Sequence, residues 1–222
     1  MTEDPPRFFL VSPPLAEADS FTGPLSAALD ACDAACVLIR PDARAAGADA
    51  KRIVRALAPL AQDKDVALIV PDDPQLAVRS GADGCQIGRG AAGVDLAGAL
   101  KALKPDRIVG AGALGGRDDA MTAGEMGVDY LMFGGPDDAC APEAVLERVA
   151  WWAEIFTVPC VAYAASLAEI APLVAAGADF VALGEAGFLD PRGPAAAFAE
   201  AQALLESAHA ARLQGLHDAG RA

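Results

Sequence analysis

The hydrophobic pattern is dominated by short continuous apolar runs instead of alternating ones. Eight stand out: Phe8–Val11, Ala35–Ile39, Val66–Val70, Gly84–Ile87, Arg107–Gly110, Tyr130–Phe133, Cys160–Tyr163 and Phe180–Leu183. Runs of this length and composition are expected of strands buried on both faces. Between them the spacing becomes helical. Ile53, Ala56, Leu57 and Leu60 follow i, i+3, i+4, i+7 after the second run. Pro142 and Glu143 open a helix whose apolar stripe is Val145, Val149, Trp152 and Phe156. Ser166 and Glu169 form a capping-box pair. Pro194–Leu213, rich in Ala and Leu, reads as the last helix, with a frayed polar tail over 214–222. Residues 1–6 read as a flexible N-terminus, so that one domain spans 7–213.

A helix-to-strand turn recurs within this pattern. Gly81-Ala-Asp, Gly127-Val-Asp and Gly177-Ala-Asp lie 46 and 50 residues apart, and each leads into an apolar run that ends in Gly. A Gly just past a helix suits the left-handed conformation. Eight strand–helix units in 222 residues predict a (β/α)8 barrel. A doubly wound sheet is the competing architecture, and Gly110-Ala-Gly-Ala-Leu-Gly115 matches the GxGxxG spacing of dinucleotide-binding loops. That fingerprint belongs to a first βαβ unit, whereas four strands precede this one.

Composition narrows the function. The net charge of −14 disfavours nucleic acid and anionic membrane as partners. No apolar run approaches the roughly 18 residues of a membrane span. The acidic N-terminus lacks the basic stretch of a secretory signal, so the chain is expected in the cytoplasm. Five scattered Cys without CxxC spacing argue against disulfides and structural zinc. Both histidines, His209 and His217, lie beyond the last strand, which excludes a strand-end His from catalysis. The four lysines (Lys51, Lys64, Lys101, Lys104) fall on helices or on loops leading into strands, which disfavours Schiff-base chemistry.

Chemistry in such a barrel belongs to the C-terminal ends of the strands. Asp72-Asp73 ends the third run, and two carboxylates there are suited to Mg2+ bridging to substrate phosphates, or to capping the helix at Pro74. Arg40 ends the second run and is suited either to clamping a phosphate or to bridging Asp72 or Asp42; Arg89 has the same two roles open. Gly134-Gly135 admits a close ligand approach or simply makes a tight turn. Trp151 and Trp152 point about 100° apart on one helix, and one of them is suited to a homodimer interface or to packing under a loop.

The segments Leu68-Ile-Val-Pro-Asp-Asp-Pro-Gln-Leu-Ala, Gly81-Ala-Asp-Gly-Cys-Gln-Ile-Gly, Gly127-Val-Asp-Tyr-Leu-Met-Phe-Gly and Ala176-Gly-Ala-Asp-Phe-Val-Ala resemble thiamine phosphate synthase. The likeness runs from Arg7 to Asp190. It implies a (β/α)8 barrel that joins hydroxymethylpyrimidine diphosphate to thiazole phosphate with Mg2+ and releases pyrophosphate. It implies catalytic roles for Arg40 and Asp72, with Asp72 on the metal, and places Ala164, Ala165 and Glu185 at its phosphate-binding positions; the strand-end reading adds Asp73 as a metal ligand and Arg89, Gly134, Gly135 and Gly184 as phosphorylated-substrate-binding residues. The motifs themselves depart from the family. Its Gln-x-Arg-x-Lys reads Leu38-Ile-Arg40-Pro-Asp42, and its Asn-Asp reads Pro71-Asp72. Its His-x-Gly-Gln-x-Asp reads Gln86-Ile-Gly88-Arg89-Gly-Ala91, and its Ser-x-His reads Gly112-Ala-Leu114. Its Thr-x-Thr-Lys reads Asp137-Asp138-Ala-Cys140, its Gly-Gly reads Ala164-Ala165, and its final Ser reads Glu185. The losses leave two other roles open: a barrel that binds a ligand or protein without turnover, and a metal-dependent enzyme of changed specificity that uses Asp72, Asp73, Asp137, Asp138 and Glu185.

Overall fold

The recurring Gly-x-Asp turn staples neighbouring strands together. In the computed structural model, which describes residues 4–45, 47–88, 95–138 and 140–219, Gly81, Gly127 and Gly177 all take positive φ (83°, 87° and 102°) at helix ends. Two residues on, each Asp reaches back to the strand before its own. Asp83 Oδ2 accepts from the Leu68 amide at 2.7 Å, Asp129 Oδ2 from Val109 at 2.7 Å and Asp179 Oδ2 from Cys160 at 2.8 Å. The repeat is thus a lock at the N-terminal end of the strands, opposite the face that carries chemistry in this architecture.

The eight strands are β1 (Arg7–Val11), β2 (Ala34–Leu38), β3 (Ala67–Pro71), β4 (Gly84–Ile87), β5 (Ile108–Ala111), β6 (Tyr130–Phe133), β7 (Cys160–Ala164) and β8 (Phe180–Leu183). They pair in parallel, each with its chain neighbours, and β8 closes on β1. Around them lie α1 (Asp19–Ala31), α2 (Ala48–Gln62), α3 (Pro74–Ser80), α4 (Leu96–Leu103), α5 (Arg117–Glu125), α6 (Pro142–Ile155), α7 (Ile170–Ala176), α8 (Glu185–Phe188) and α9 (Pro194–Ala219). The (β/α)8 barrel is as the apolar runs predict. Alternate side chains divide between two cores. Phe9, Val11, Leu38, Ile69, Tyr130, Met132, Val161 and Ala182 fill the barrel, while their neighbours pack outward against the helices.

Gly110-x-Gly112 belongs to this packing. A β-carbon on Gly110 would stand 2.0 Å from Tyr130 Cζ, and one on Gly112 would stand 2.9 Å from Gln86 Nε2. The GxGxxG match therefore marks where the barrel interior needs room, not a dinucleotide loop.

Three sequence-based boundaries shift. Pro6 is already buried, so order begins before Arg7. α9 runs on to Ala219, because no proline interrupts Gln214–His217; His217 Nδ1 lies 2.8 Å from Leu213 O within this extension. Ser166 and Glu169 meet, Oγ to Oε1 at 3.0 Å, but Glu169 turns its other oxygen to the Ala165 amide, and the chain starts a short 3-10 turn before α7. Trp152 faces the core beside Phe133 and donates to Val158 O at 2.7 Å, whereas Trp151 packs edge-on against Phe156 under the Arg117 guanidinium. No helix among the described residues is long and apolar enough to cross a membrane.

Burial pushes four thiols, Cys32, Cys36, Cys85 and Cys160, from 9.0 up to about 12. Between those values the unfolded chain releases protons that the folded chain keeps, so stability must fall as pH rises. Denaturant midpoints measured from pH 8 to 11 are expected to drop above about pH 9, and the drop is expected to shrink in a Cys85→Ala/Cys160→Ala double variant.

Candidate functional site

A cavity of about 610 Å3 opens at the C-terminal ends of β2 to β6. Leu38, Gln86 and Met132 form its floor, Arg40, Asp72 and Gly88 one wall, and the loop Gly134–Asp138 the facing wall. Arg148, from α6, reaches the rim. Among the described residues the charged groups are two guanidiniums and three carboxylates, those of Asp72, Asp137 and Asp138. A polyanion would meet no net positive charge from these groups, and a cation bound with it would offset the acids.

Asp72 is held in a demanding conformation. Its φ is 51°, its amide donates to Gln86 O at 2.9 Å, and its Oδ1 accepts from the Gly88 amide at 2.6 Å. Asp is one of the few residues that tolerate this region of backbone space. The carboxylate is thus aimed by β4 and borders the cavity. Asp73, expected beside it as a metal ligand, has turned away: its Oδ1 accepts from the Leu76 amide at 2.8 Å and caps α3. Of the two roles open to this pair, capping falls to Asp73 and the cavity to Asp72.

No cluster of three or more His, Cys, Asp or Glu side chains among the described residues could hold a metal. One aimed carboxylate fits Mg2+ of the kind that keeps most of its water and is shared with substrate phosphates, and it does not fit a metal caged by the protein.

Arg40 is fixed from two sides. Its amide donates to Ser12 Oγ at 2.9 Å, and its guanidinium pairs with Asp137. The partner is neither Asp72 nor Asp42; Asp42 Oδ1 instead accepts from the Arg44 amide at 2.7 Å. The Arg40 side chain is 13% exposed and that of Asp137 81%, so the acid is the member that can leave. An exposed pair of this sort contributes at most about 1 kcal/mol. Asp137→Ala is accordingly expected to lower the Kd for inorganic pyrophosphate by up to about fivefold in titration calorimetry.

The rest of the predicted binding set divides. Gly134, at φ 76°, and Gly135 line the cavity; a β-carbon on Gly134 would press on Val145 at 3.0 Å and Tyr163 at 3.2 Å. Ala164, Ala165, Gly184 and Glu185 do not line it. Ala164 points outward into the layer under the helices, and the Ala165 amide is occupied by Glu169 at 2.9 Å. Gly184 is buried where a β-carbon would meet Tyr163 Oη at 3.1 Å, and Glu185 is exposed at the start of α8. Tyr163 fills this side of the mouth, its phenol pushed up by burial and then by the Glu185 charge. Arg89 lies outside the described residues.

Two of the cavity's polar side chains, Gln86 and Arg148, were absent from the expected set. Gln86 is the polar member of the β4 run; Tyr130 Oη donates to its Oε1 at 3.0 Å, and its Nε2 rests 3.5 Å from Met132 Sδ. Arg148 donates to Leu114 O at 3.0 Å. A polar side chain inside an apolar strand was a readable signal for Gln86, whereas nothing in the helical pattern of α6 marks Arg148.

The chain is similar to known proteins over most of its length. A family model described as "Thiamine monophosphate synthase" matches residues 8–186. A thiamine-phosphate synthase of Rhodospirillum centenum is 41% identical over 203 residues, covering 87% of this chain and 95% of that protein. A second, from Hyphomonas neptunium, is 35% identical over 210 residues, covering 90% and 94%. Among solved structures, a thiamine phosphate pyrophosphorylase from Pyrococcus furiosus superposes with a TM-score of 0.75 at 20% identity, covering 91% of this chain and 96% of that one. A 3-hexulose-6-phosphate synthase follows at 0.68 and 19%, a likeness of fold.

Proposed function

The chain belongs to the thiamine monophosphate synthase family, and from that premise we propose that it joins hydroxymethylpyrimidine diphosphate to thiazole phosphate, releasing pyrophosphate, in cytoplasmic thiamine biosynthesis. The observation that carries the reading is the meeting of Arg40 and Asp72 in one cavity at the C-terminal end of the barrel.

The chemistry suits the residues present. The bond between the pyrimidine methylene carbon and the bridging oxygen breaks, its electron pair leaving with pyrophosphate. The thiazole nitrogen then supplies the pair for the new carbon–nitrogen bond. No proton need move, so a mouth without histidine is adequate. What the reaction needs is stabilisation of negative charge on the departing diphosphate. Arg40 supplies a guanidinium once Asp137 yields it, and its Nη1, 3.4 Å from Ser12 O, keeps it at the mouth while that pair opens. Asp72, locked by Gly88, is the carboxylate that would hold Mg2+, which when bound neutralises diphosphate charge. Gly134 and Gly135 let the loop after β6 approach the substrate without a side chain. Leu38 and Met132 give the apolar floor on which a pyrimidine ring can lie.

A second reading, binding without turnover, draws on the Arg40–Asp137 pair and on the occupied Ala165 amide. Pyrophosphate release separates the two. Release that requires both substrates and Mg2+ is expected. Binding of the diphosphate with no release at any enzyme concentration would favour the second reading.

A further inference from the structure

Among the described residues the cavity holds two guanidiniums, and they stand in opposite electrostatic states. Arg40 is neutralised by Asp137. Arg148 has no carboxylate within ion-pair distance among the described residues, and its one protein hydrogen bond is to a neutral carbonyl, Leu114 O, at 3.0 Å. The helix explains why. The positions one turn away on α6 are Ala144, Val145, Trp151 and Trp152, none of them acidic. The adjacent acid, Glu147, is drawn off by Arg117, at 2.9 Å, and Arg117 is itself seated on the Trp151 ring, 4.9 Å from its centroid. An ordered, half-buried guanidinium is thereby kept uncompensated at the rim of an acidic cavity. Its charge is therefore available to an anion that enters the cavity.

We propose that Arg148 is the residue that first receives the diphosphate arm of the substrate and holds it while Asp137 gives up Arg40. The inference rests on the synthase reading for the identity of the anion, but not for the existence of the anion site. A guanidinium tethered through one nitrogen keeps further N–H donors free, which suits the two phosphoryl groups of a diphosphate better than a single phosphate.

The test uses Arg148→Gln, which keeps a donor for Leu114 O while removing the charge, and Arg148→Lys, which keeps the charge. Binding of inorganic pyrophosphate in the presence of Mg2+ is measured by titration calorimetry, and KM is measured for each substrate separately. Arg148→Gln is expected to weaken pyrophosphate binding by about 10- to 100-fold and to raise KM for the diphosphate alone. Arg148→Lys is expected to recover part of both, and the salt dependence of pyrophosphate binding is expected to become shallower in Arg148→Gln than in wild type. Wild-type pyrophosphate affinity in Arg148→Gln, or no pyrophosphate binding by the wild type, would overturn the proposal. Turnover by the wild type with no effect of Arg148→Gln sinks the Arg148 assignment and leaves the synthase reading intact. Charge-dependent pyrophosphate binding by a wild type that turns nothing over does the reverse.

Discussion

Asp72→Asn is expected to lower kcat/KM for thiamine phosphate formation by about 10^3-fold while leaving the thermal midpoint unchanged. The substitution is chosen for the backbone as much as for the charge. Asp72 sits at φ 51°, a region that Asn enters as readily as Asp and that Ala would strain. Asn also keeps an oxygen for the Gly88 amide, so the tie between the β3 and β4 ends survives. What disappears is one negative charge facing the cavity. If Asp72 is the carboxylate that meets Mg2+, the loss appears as a higher Mg2+ requirement as well as a lower rate. If Asp72 only locks the loop, Asn serves equally well and the rate stays within a few fold of wild type.

The second large effect is on the fold. Gly110→Ala is expected to destabilise the barrel by about 3 kcal/mol, equivalent to roughly 10 °C in Tm for a chain of this size. The added carbon would stand 2.0 Å from Tyr130 Cζ, inside a ring that is 5% exposed. Tyr130 cannot move aside cheaply. Its ring packs 5.4 Å from that of Phe9, and its hydroxyl holds Gln86. Displacing it would also release Gln86 at the cavity floor, so residual folded protein should show weaker pyrophosphate binding. Calorimetric unfolding and titration on the same sample check both halves.

The fold was readable because the strands are buried on both faces. Their apolar runs placed all eight strands to within a residue at either end, and the Gly-x-Asp repeat marked three of their entrances. The role of the repeated Asp was hidden, since it depends on which strand lies alongside in the closed barrel. The site was readable only where it sits on strand ends. Asp72 follows β3 directly and Arg40 stands two residues past β2, so their placement came with the strands. The Arg40–Asp137 pair joins residues 97 positions apart through a loop whose path no local signal gives. Asp72 and Asp73 were indistinguishable as neighbours until the cap on α3 and the Gly88 amide divided them. The assignment of Ala164 to the site missed a signal that was present. Side chains alternate along β7, and with Tyr163 inside the barrel Ala164 must face the helices.

The departures from the family pattern have a common physical direction. Acids stand where donors were expected, at Asp137, Asp138 and Glu185, and each either pairs with a cation, accepts a backbone amide or faces solvent. On the proposed reading such a mouth would raise the threshold for binding a diphosphate without Mg2+. The guanidinium of Arg40 and the aimed carboxylate of Asp72 still border the cavity.

The most direct measurement is the stoichiometry of the two products in one reaction. The purified protein is given hydroxymethylpyrimidine diphosphate, thiazole phosphate and Mg2+, and thiamine phosphate and pyrophosphate are quantified together by mass spectrometry and an enzyme-coupled assay. One thiamine phosphate per pyrophosphate, with neither formed when either substrate is omitted, is the predicted result. Pyrophosphate without thiamine phosphate, or neither product while the diphosphate binds, would contradict the account.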